Sequence, residues 1–228
     1  AVLEGNSGND TVLIGAAADS SSINADVGND SVSIANNFNT GLFIGGEGND
    51  TLTIGGTIDK ATIYGGVVGS TLDGADSMSI VGNGSGAYIA AMEGNDRISL
   101  DGQLSASSLF GGTGNDTVYV GGLSLASSVE GGEGDDSLYV AGAVNGTSSL
   151  IGGDGADLIS VGGAFSRAYL DGGAGADSIT LANALQEAST LTGGEGNDRL
   201  ELQAITSAAV YANQGNDTLI VAGESTKA

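Results

Sequence analysis

Apolar residues recur along this chain in pairs spaced two apart, and each pair sits at the second and fourth positions after an Asp held in the frame Gly-x-Asp. The pairs are Val12/Ile14, Val32/Ile34, Leu52/Ile54, Met78/Ile80, Ile98/Leu100, Val118/Val120, Leu138/Val140, Ile159/Val161, Ile179/Leu181, Leu200/Leu202 and Leu219/Val221, all aliphatic or Met. Alternation with a period of two over four to five residues, rich in β-branched side chains, predicts a half-buried strand. A second strand is predicted upstream of each Asp. Seven residues before it stand Leu3, Ile23, Phe43, Ile89, Leu109, Val129, Leu150, Leu170, Leu191 and Val210, and nine before it the residue is almost always Ala, Ser or Gly. Each period thus offers three sizeable inward side chains and one small one, which predicts a thin, flattened core with two faces.

The Asp residues themselves are Asp10, Asp30, Asp50, Asp76, Asp96, Asp116, Asp136, Asp157, Asp177, Asp198 and Asp217. A period near 20 residues marks a solenoid, because a unit that short buries its apolar face only by stacking on its neighbours. The expected fold is all-β: a parallel β-roll of about eleven turns with two short strands per turn, roughly 50 Å long at about 4.8 Å per turn. One step is 26 residues, and the six extra residues, Val67 to Leu72, predict a bulge with the strand ladder continuing beyond it. Residues 1–228 therefore read as a single domain. Glycine punctuates the strands: it stands two before every ladder Asp, and Gly-Gly fills the fifth and fourth positions before it in six turns, as at Gly45-Gly46 and Gly111-Gly112. Periodic Gly, without a single Pro, marks places where φ is positive or backbones approach closely rather than a flexible linker.

Charge changes the picture more than composition does. The chain carries 28 acidic residues against five basic ones, no His and no Cys, for a net charge of -23. Eleven acids are the ladder Asp residues, six more (Glu47, Asp73, Glu93, Glu133, Asp154, Glu195) lie three residues earlier, and Asp135 adjoins Asp136. Stacking places all eighteen in one stripe. Carboxylates roughly 5 Å apart repel by about 1 kcal/mol in water and about 3 kcal/mol at an effective dielectric near 20. Ten such contacts total roughly 10 to 35 kcal/mol, against the roughly 5 to 15 kcal/mol by which a domain is stable. Either the carboxylates take up protons or cations sit between them. Asp and backbone oxygens without His or Cys suit a hard ion, and stacked carbonyl-rich loops suit Ca²⁺ better than the stricter octahedron of Mg²⁺. Ten gaps hold about ten ions, whose charge nearly cancels that of the chain.

The segments Gly111-Gly112-Thr113-Gly114-Asn115-Asp116-Thr117-Val118-Tyr119 and Gly193-Gly194-Glu195-Gly196-Asn197-Asp198-Arg199-Leu200-Glu201 resemble the Gly-Gly-x-Gly-x-Asp-x-apolar-x nonapeptide of the RTX (repeats-in-toxin, haemolysin-type) calcium-binding family. The resemblance covers the whole chain in eleven in-register copies. It implies a right-handed β-roll with Ca²⁺ between successive loops of one edge. Carried over, the carbonyls of Gly112 and Gly114 with Asp116 face those of Gly131 and Glu133 with Asp136. Gly132, Gly134 and Asp136 then face Gly152, Asp154 and Asp157, and Gly173, Gly175 and Asp177 face Gly193, Glu195 and Asp198. The implied ligand loops also take in Gly46, Gly48, Gly111, Thr113, Gly114, Gly153, Gly155, Gly172, Ala174, Gly194 and Gly196. Ordinary members repeat every nine residues and bind along both edges. Here only every second turn carries Asp, and the opposite edge (Gly55-Gly56, Gly121-Gly122, Gly162-Gly163) lacks it, so one calcium row is expected. Asn6, Asp26, Leu72, Met92 and Asn213 replace the second Gly in five turns, and the Asp50/Asp76 gap is expected to be the least complete.

Single-row rolls of this period resemble portions of bacterial surface-layer proteins and large adhesins, which implies an extracellular, cell-surface setting and export by type I secretion. No apolar run approaches the length of a membrane span, no signal peptide opens the chain, and five basic residues offer nothing to nucleic acid. Both ends read as cut, so a segment of a longer polypeptide is expected, with end-to-end stacking of copies as the competing explanation. Catalysis is not expected, because the acids are the repeat rather than a departure from it, and Lys60, Arg97, Arg167, Arg199 and Lys227 do not cluster. Tyr119 and Tyr139 at the same outward position, with Leu42, Ile44, Phe110, Ile151 and Tyr211 outward on the other strand, suggest lateral contacts between copies. Ice binding would want a regular Thr/Asn array on the loops, but Thr stands three before the Asp only at Thr113. Two further readings stand beside the surface module: a secretion and folding module of an exported toxin or hydrolase, and a carbohydrate-active solenoid.

Overall fold

A computed structural model describes residues 1–67, 69, 70 and 72–225; Val68 and Thr71 of the insertion, and Thr226, Lys227 and Ala228, lie outside the described residues. The described residues hold 28 strands and no helix. Eleven strands, one per turn from Val2–Glu4 to Ala209–Gln214, form one parallel sheet in sequence order. The other sheet holds the strands that follow each Asp, from Thr11–Ile14 to Thr218–Val221. In the first sheet equivalent positions stack in register: Ile89 pairs with Leu109, Leu109 with Val129 and Val129 with Leu150. A slip of one residue would turn every inward side chain to solvent, which is why the apolar period fixes the register.

The predicted inward positions are the core. Ile23, Phe43, Ile89, Leu109, Val129, Leu150, Leu170 and Leu191 are buried in one sheet, as are the pairs from Val32/Ile34 to Leu200/Leu202 in the other. Seven turns also bury a fourth large side chain that the periodicity did not reveal, fully enclosed at the edge opposite the Asp residues: Phe38, which lies outside any strand, and Ile58, Leu104, Leu123, Val144, Phe165 and Leu185. The latter six sit on a third, two-residue strand, as in Ile58–Asp59, Val144–Asn145 and Phe165–Ser166, or on an extension of the second, as in Arg97–Ser105 and Thr117–Ser124. The two strands per turn stand as expected, and this short segment is added beside the second of them in most turns. A lone apolar residue among Gly, Asn, Ser and Ala carries no alternation, so no strand could be read there.

The insertion interrupts only one sheet. Ser77–Ile80 pairs with Thr51–Ile54 before it and with Arg97–Leu100 after it. In the other sheet the local strand shrinks to Thr62–Tyr64, three residues where its neighbours Leu42–Glu47 and Tyr88–Glu93 have six.

Candidate calcium edge

The eleven Asp side chains turn into the edge of the roll rather than out of it. Asp30 through Asp198 are 1–4% exposed. One oxygen of every ladder Asp after the first is spoken for: Oδ1 accepts the backbone N–H of the preceding ladder Asp, from Asp10 N–H to Asp30 Oδ1 through Asp198 N–H to Asp217 Oδ1, at 2.7–3.0 Å. The other oxygen is not. Oδ2 of Asp10, Asp30, Asp50, Asp76, Asp96, Asp116, Asp136, Asp157, Asp177 and Asp198 is buried without a hydrogen-bond partner, and these ten are the only such side-chain atoms among the described residues. Buried polar atoms are nearly always satisfied, so an unbroken column of orphans points to a missing positive partner.

The surroundings of Oδ2 supply more acceptors and no donor. A Cβ placed on Gly111 would collide with Asp116 Oδ2 and with the carbonyl oxygen of Gly131, so both oxygens face one small space that only Gly leaves open. Gly131, Gly152, Gly172 and Gly193 repeat this against Asp136, Asp157, Asp177 and Asp198. The carbonyls of Gly112 and Gly114 abut Gly132 and Gly134 of the next turn, and the Glu133 carbonyl accepts the Gly114 N–H at 2.7 Å. These contacts place the Gly112, Gly114, Gly131 and Glu133 carbonyls between the turns of Asp116 and Asp136. The Asp136/Asp157 gap is built alike, with Gly132, Gly134, Gly152 and Asp154, as is the Asp177/Asp198 gap with Gly173, Gly175, Gly193 and Glu195. In the Asp157/Asp177 gap Gly153 and Gly155 face Gly173 and Gly175, and the Ala174 carbonyl accepts the Gly155 N–H. Gly196 meets the Gly175 carbonyl, Gly194 that of Gly173, Gly46 that of Asp26 and Gly48 that of Gly28, while the Thr113 carbonyl accepts the Gly94 N–H. Among the described residues no three or more acidic side chains are placed to hold one metal ion by themselves. A cation here is held by at most two carboxylates, with backbone oxygens completing the shell, which is the donor set of a hard divalent ion. Such an ion supplies the positive charge and coordination that the orphaned oxygens lack.

Without it the column resists ionisation. Burial, only partly offset by the accepted N–H, pushes Asp76 up to about 8, Asp96, Asp116 and Asp177 to about 7, and Asp50, Asp136 and Asp157 to about 6. Neighbouring carboxylates add to the rise in each case, and Asp198 is raised for the same reasons. An Asp within the column serves two gaps and an end Asp only one. Replacing Asp116 or Asp136 by Ala should therefore raise the calcium needed for folding more than Asp10→Ala does, as a circular-dichroism titration will show. Equal shifts would argue against shared ligation.

Two further ladders escaped the sequence reading. Asn stands immediately before the Asp in seven turns, and its Oδ1 accepts the N–H of the equivalent residue one turn on, as from Asn29 to Asn9, Asn49 to Asn29 and Asn115 to Asn95, at 2.7–2.9 Å. It runs opposite in sense to the Asp ladder, so each loop is clamped to both neighbours. At the far edge, buried Ser107, Ser127, Ser148 and Ser189 accept the N–H of Ala87, Ser107, Ser127 and Ala168 in turn. Their hydroxyls donate to Ser105, Ser124, Asn145 and Gln186 carbonyls. A hydroxyl brings its own proton, so this edge satisfies itself where the Asp edge does not.

The insertion turn is built differently from its expectation. Gly65, not a residue near Leu72, faces Asp76 Oδ2, so Gly65-Gly66 keeps its place and the extra residues follow it. Leu72 replaces no glycine. The Asp73 carboxylate covers Gly66 and accepts the N–H groups of Gly74 (3.1 Å) and Glu93 (3.2 Å). It stands in for the carbonyls that the interrupted strand no longer supplies.

Stacked Gly-rich loops, one buried Asp per turn and a column of unpaired carboxylate oxygens define a parallel β-solenoid with a candidate calcium-binding edge. A family model for the RTX calcium-binding nonapeptide repeat matches residues 2–21, 42–59, 92–122, 126–142 and 184–203. Over those residues the chain carries RTX-type calcium-binding nonapeptide repeats. A crystal structure of a hyperactive, Ca²⁺-dependent, β-helical antifreeze protein from an Antarctic bacterium superposes with a TM-score of 0.73 at 27% identity, over 94% of this chain and 65% of that one. The chain therefore spans just under two thirds of that neighbour's length. No curated protein matches it.

Proposed function

We propose that this chain is a structural module of a secreted bacterial cell-surface protein, of the S-layer or adhesin kind, folded and stiffened by a single row of about ten Ca²⁺ ions. The observation that carries the reading is the column of buried, unpartnered Oδ2 atoms, present on one edge and replaced by self-satisfied Ser on the other. Every acid of the column belongs to the repeat, which speaks for load-bearing and against a catalytic centre. Among the described residues, no helix is long and apolar enough to cross a membrane. An extracellular setting fits a module that needs abundant calcium. The outward stack of Tyr119 on Tyr139, ring centroids 5.5 Å apart, would serve lateral contact between copies.

The neighbour's antifreeze activity finds little to work with here. Six loops project Glu or Asp three residues before the ladder Asp, where Thr occurs once. The Asn oxygens are engaged by backbone N–H groups. The alternative is a calcium-triggered folding module for an exported toxin or hydrolase. Small-angle scattering tests the stiff rod: the radius of gyration should be about 17 Å with calcium and approach about 50 Å after chelation. Lateral arrays of the calcium-loaded chain in electron micrographs would support the surface role, and an enzymatic domain in the parent reading frame the alternative. A radius unchanged by chelation would sink both.

A further inference from the structure

We propose that the calcium row is graded: the four gaps from Asp116 to Asp198 load first and fold as one block, while the turns of Asp30, Asp76 and Asp96 hold the N-terminal half back to higher calcium. The proposal rests on the calcium reading above and concerns which of its gaps are tight.

In the C-terminal block every loop has the same frame. Gly112, Gly132, Gly153, Gly173 and Gly194 all take φ between +110° and +127°, a conformation in which a side chain would strike the preceding turn's carbonyl. The space beside each Oδ2 is likewise kept open by Gly. Upstream, besides Asn6 at φ +71° in the terminal turn of Asp10, departures fall in three turns. In the turns of Asp30 and Asp96 the residue whose missing Cβ leaves that space is not Gly but Ala25 and Ala91, so a methyl stands where Oδ2 and the next carbonyl converge. The following residue is Asp26 at φ +79° or Met92 at φ +88°. These angles bend the loop away from the Gly geometry, and for Met the conformation is a strained one. In the turn of Asp76, Gly66 and Gly74 both leave the positive-φ region that their counterparts occupy. There the Asp73 side chain fills the place of missing backbone. In the turns of Asp30 and Asp96 the Ala25, Asp26, Ala91 and Met92 carbonyls keep their places against the neighbouring Gly, so the departure is the added methyl and the altered φ, whereas in the turn of Asp76 a side chain replaces backbone. Every gap upstream of Asp116 has at least one altered turn, so complete gaps adjoin only in the C-terminal block, where neighbouring ions share a turn.

Hydrogen–deuterium exchange of the whole chain across a calcium series tests this segment by segment. Amides of Ser128–Glu133, Ser149–Asp154 and Tyr169–Ala174 should gain protection at about fivefold lower calcium than those of Ser22–Val27 and Tyr88–Glu93, a ratio near the lower end of typical site couplings. The double variant A91G/M92G restores the loop frame and should move the Tyr88–Glu93 midpoint toward that of the block without moving the block itself. A single midpoint for all five segments, or no shift in A91G/M92G, would overturn the grading while leaving calcium binding intact. Protection indifferent to calcium everywhere would overturn the calcium reading and the grading together.

Discussion

Chelation of calcium at pH 8 in dilute buffer should abolish the β signal of the whole chain. Eleven carboxylates lie in one column, nine of them 1–4% exposed, so the repulsion between neighbours acts in a medium closer to an effective dielectric of 20 than to water. At that value ten contacts near 5 Å cost about 30 kcal/mol, well above the roughly 5 to 15 kcal/mol of a typical fold. Each accepted N–H recovers about 1.5 to 3 kcal/mol for a charged acceptor, which moderates the repulsion but leaves Oδ2 uncompensated. Loss of strand signal in far-ultraviolet circular dichroism should be complete and reversed by calcium at roughly 10⁻⁴ to 10⁻³ M, the range of extracellular modules. Re-folding should be cooperative within a run of complete gaps, because an ion between two turns orders both and binding energy is folding energy. An unchanged spectrum and melting point after EGTA treatment would remove the metal from the account of stability altogether.

Acid should partly replace calcium. In the calcium-free fold Asp50, Asp136 and Asp157 sit near 6, Asp96, Asp116 and Asp177 near 7 and Asp76 near 8, against 3.8 for the unfolded chain. Between about pH 4 and pH 8 the folded state thus binds more protons than the unfolded one, so its stability falls as pH rises through that window. Below it the ladder carboxyls are neutral in both states and the penalty vanishes. The calcium-free chain should therefore show substantial β signal at pH 5 and lose it by pH 8. Protons and calcium compete for the same oxygens, so the calcium midpoint should rise as pH falls from 8 to 6. With saturating calcium the pH dependence should flatten. A calcium-free chain that is equally unfolded at pH 5 and pH 8 would show that the burial of the column does not govern folding.

Much of this was legible in the sequence because a solenoid writes its cross-section into every period. The pairs Val118/Val120 and Leu138/Val140 announce a strand and its inward face, and the Gly-x-Asp frame announces the edge. What escaped was whatever lacked alternation or depended on a neighbour. Val144 and Phe165 are single apolar residues that become a third strand only when stacked. Asn115 looks like loop composition until its Oδ1 is seen to accept the Asp135 N–H. Ser127 looks merely small, yet it takes one N–H and gives one proton within the closed edge.

By itself the sequence determined the parallel stacking, the register and the single acidic edge, since a fixed period with one inward pattern admits only one stacking that buries every apolar side chain. Only the tertiary structure decided which Asp oxygen is bound and which is left bare, how the far edge satisfies itself without charge, and how Asp73 bridges the insertion. Those outcomes turn on the distance between atoms of adjacent turns, some 20 residues apart along the chain, and no local pattern encodes that distance.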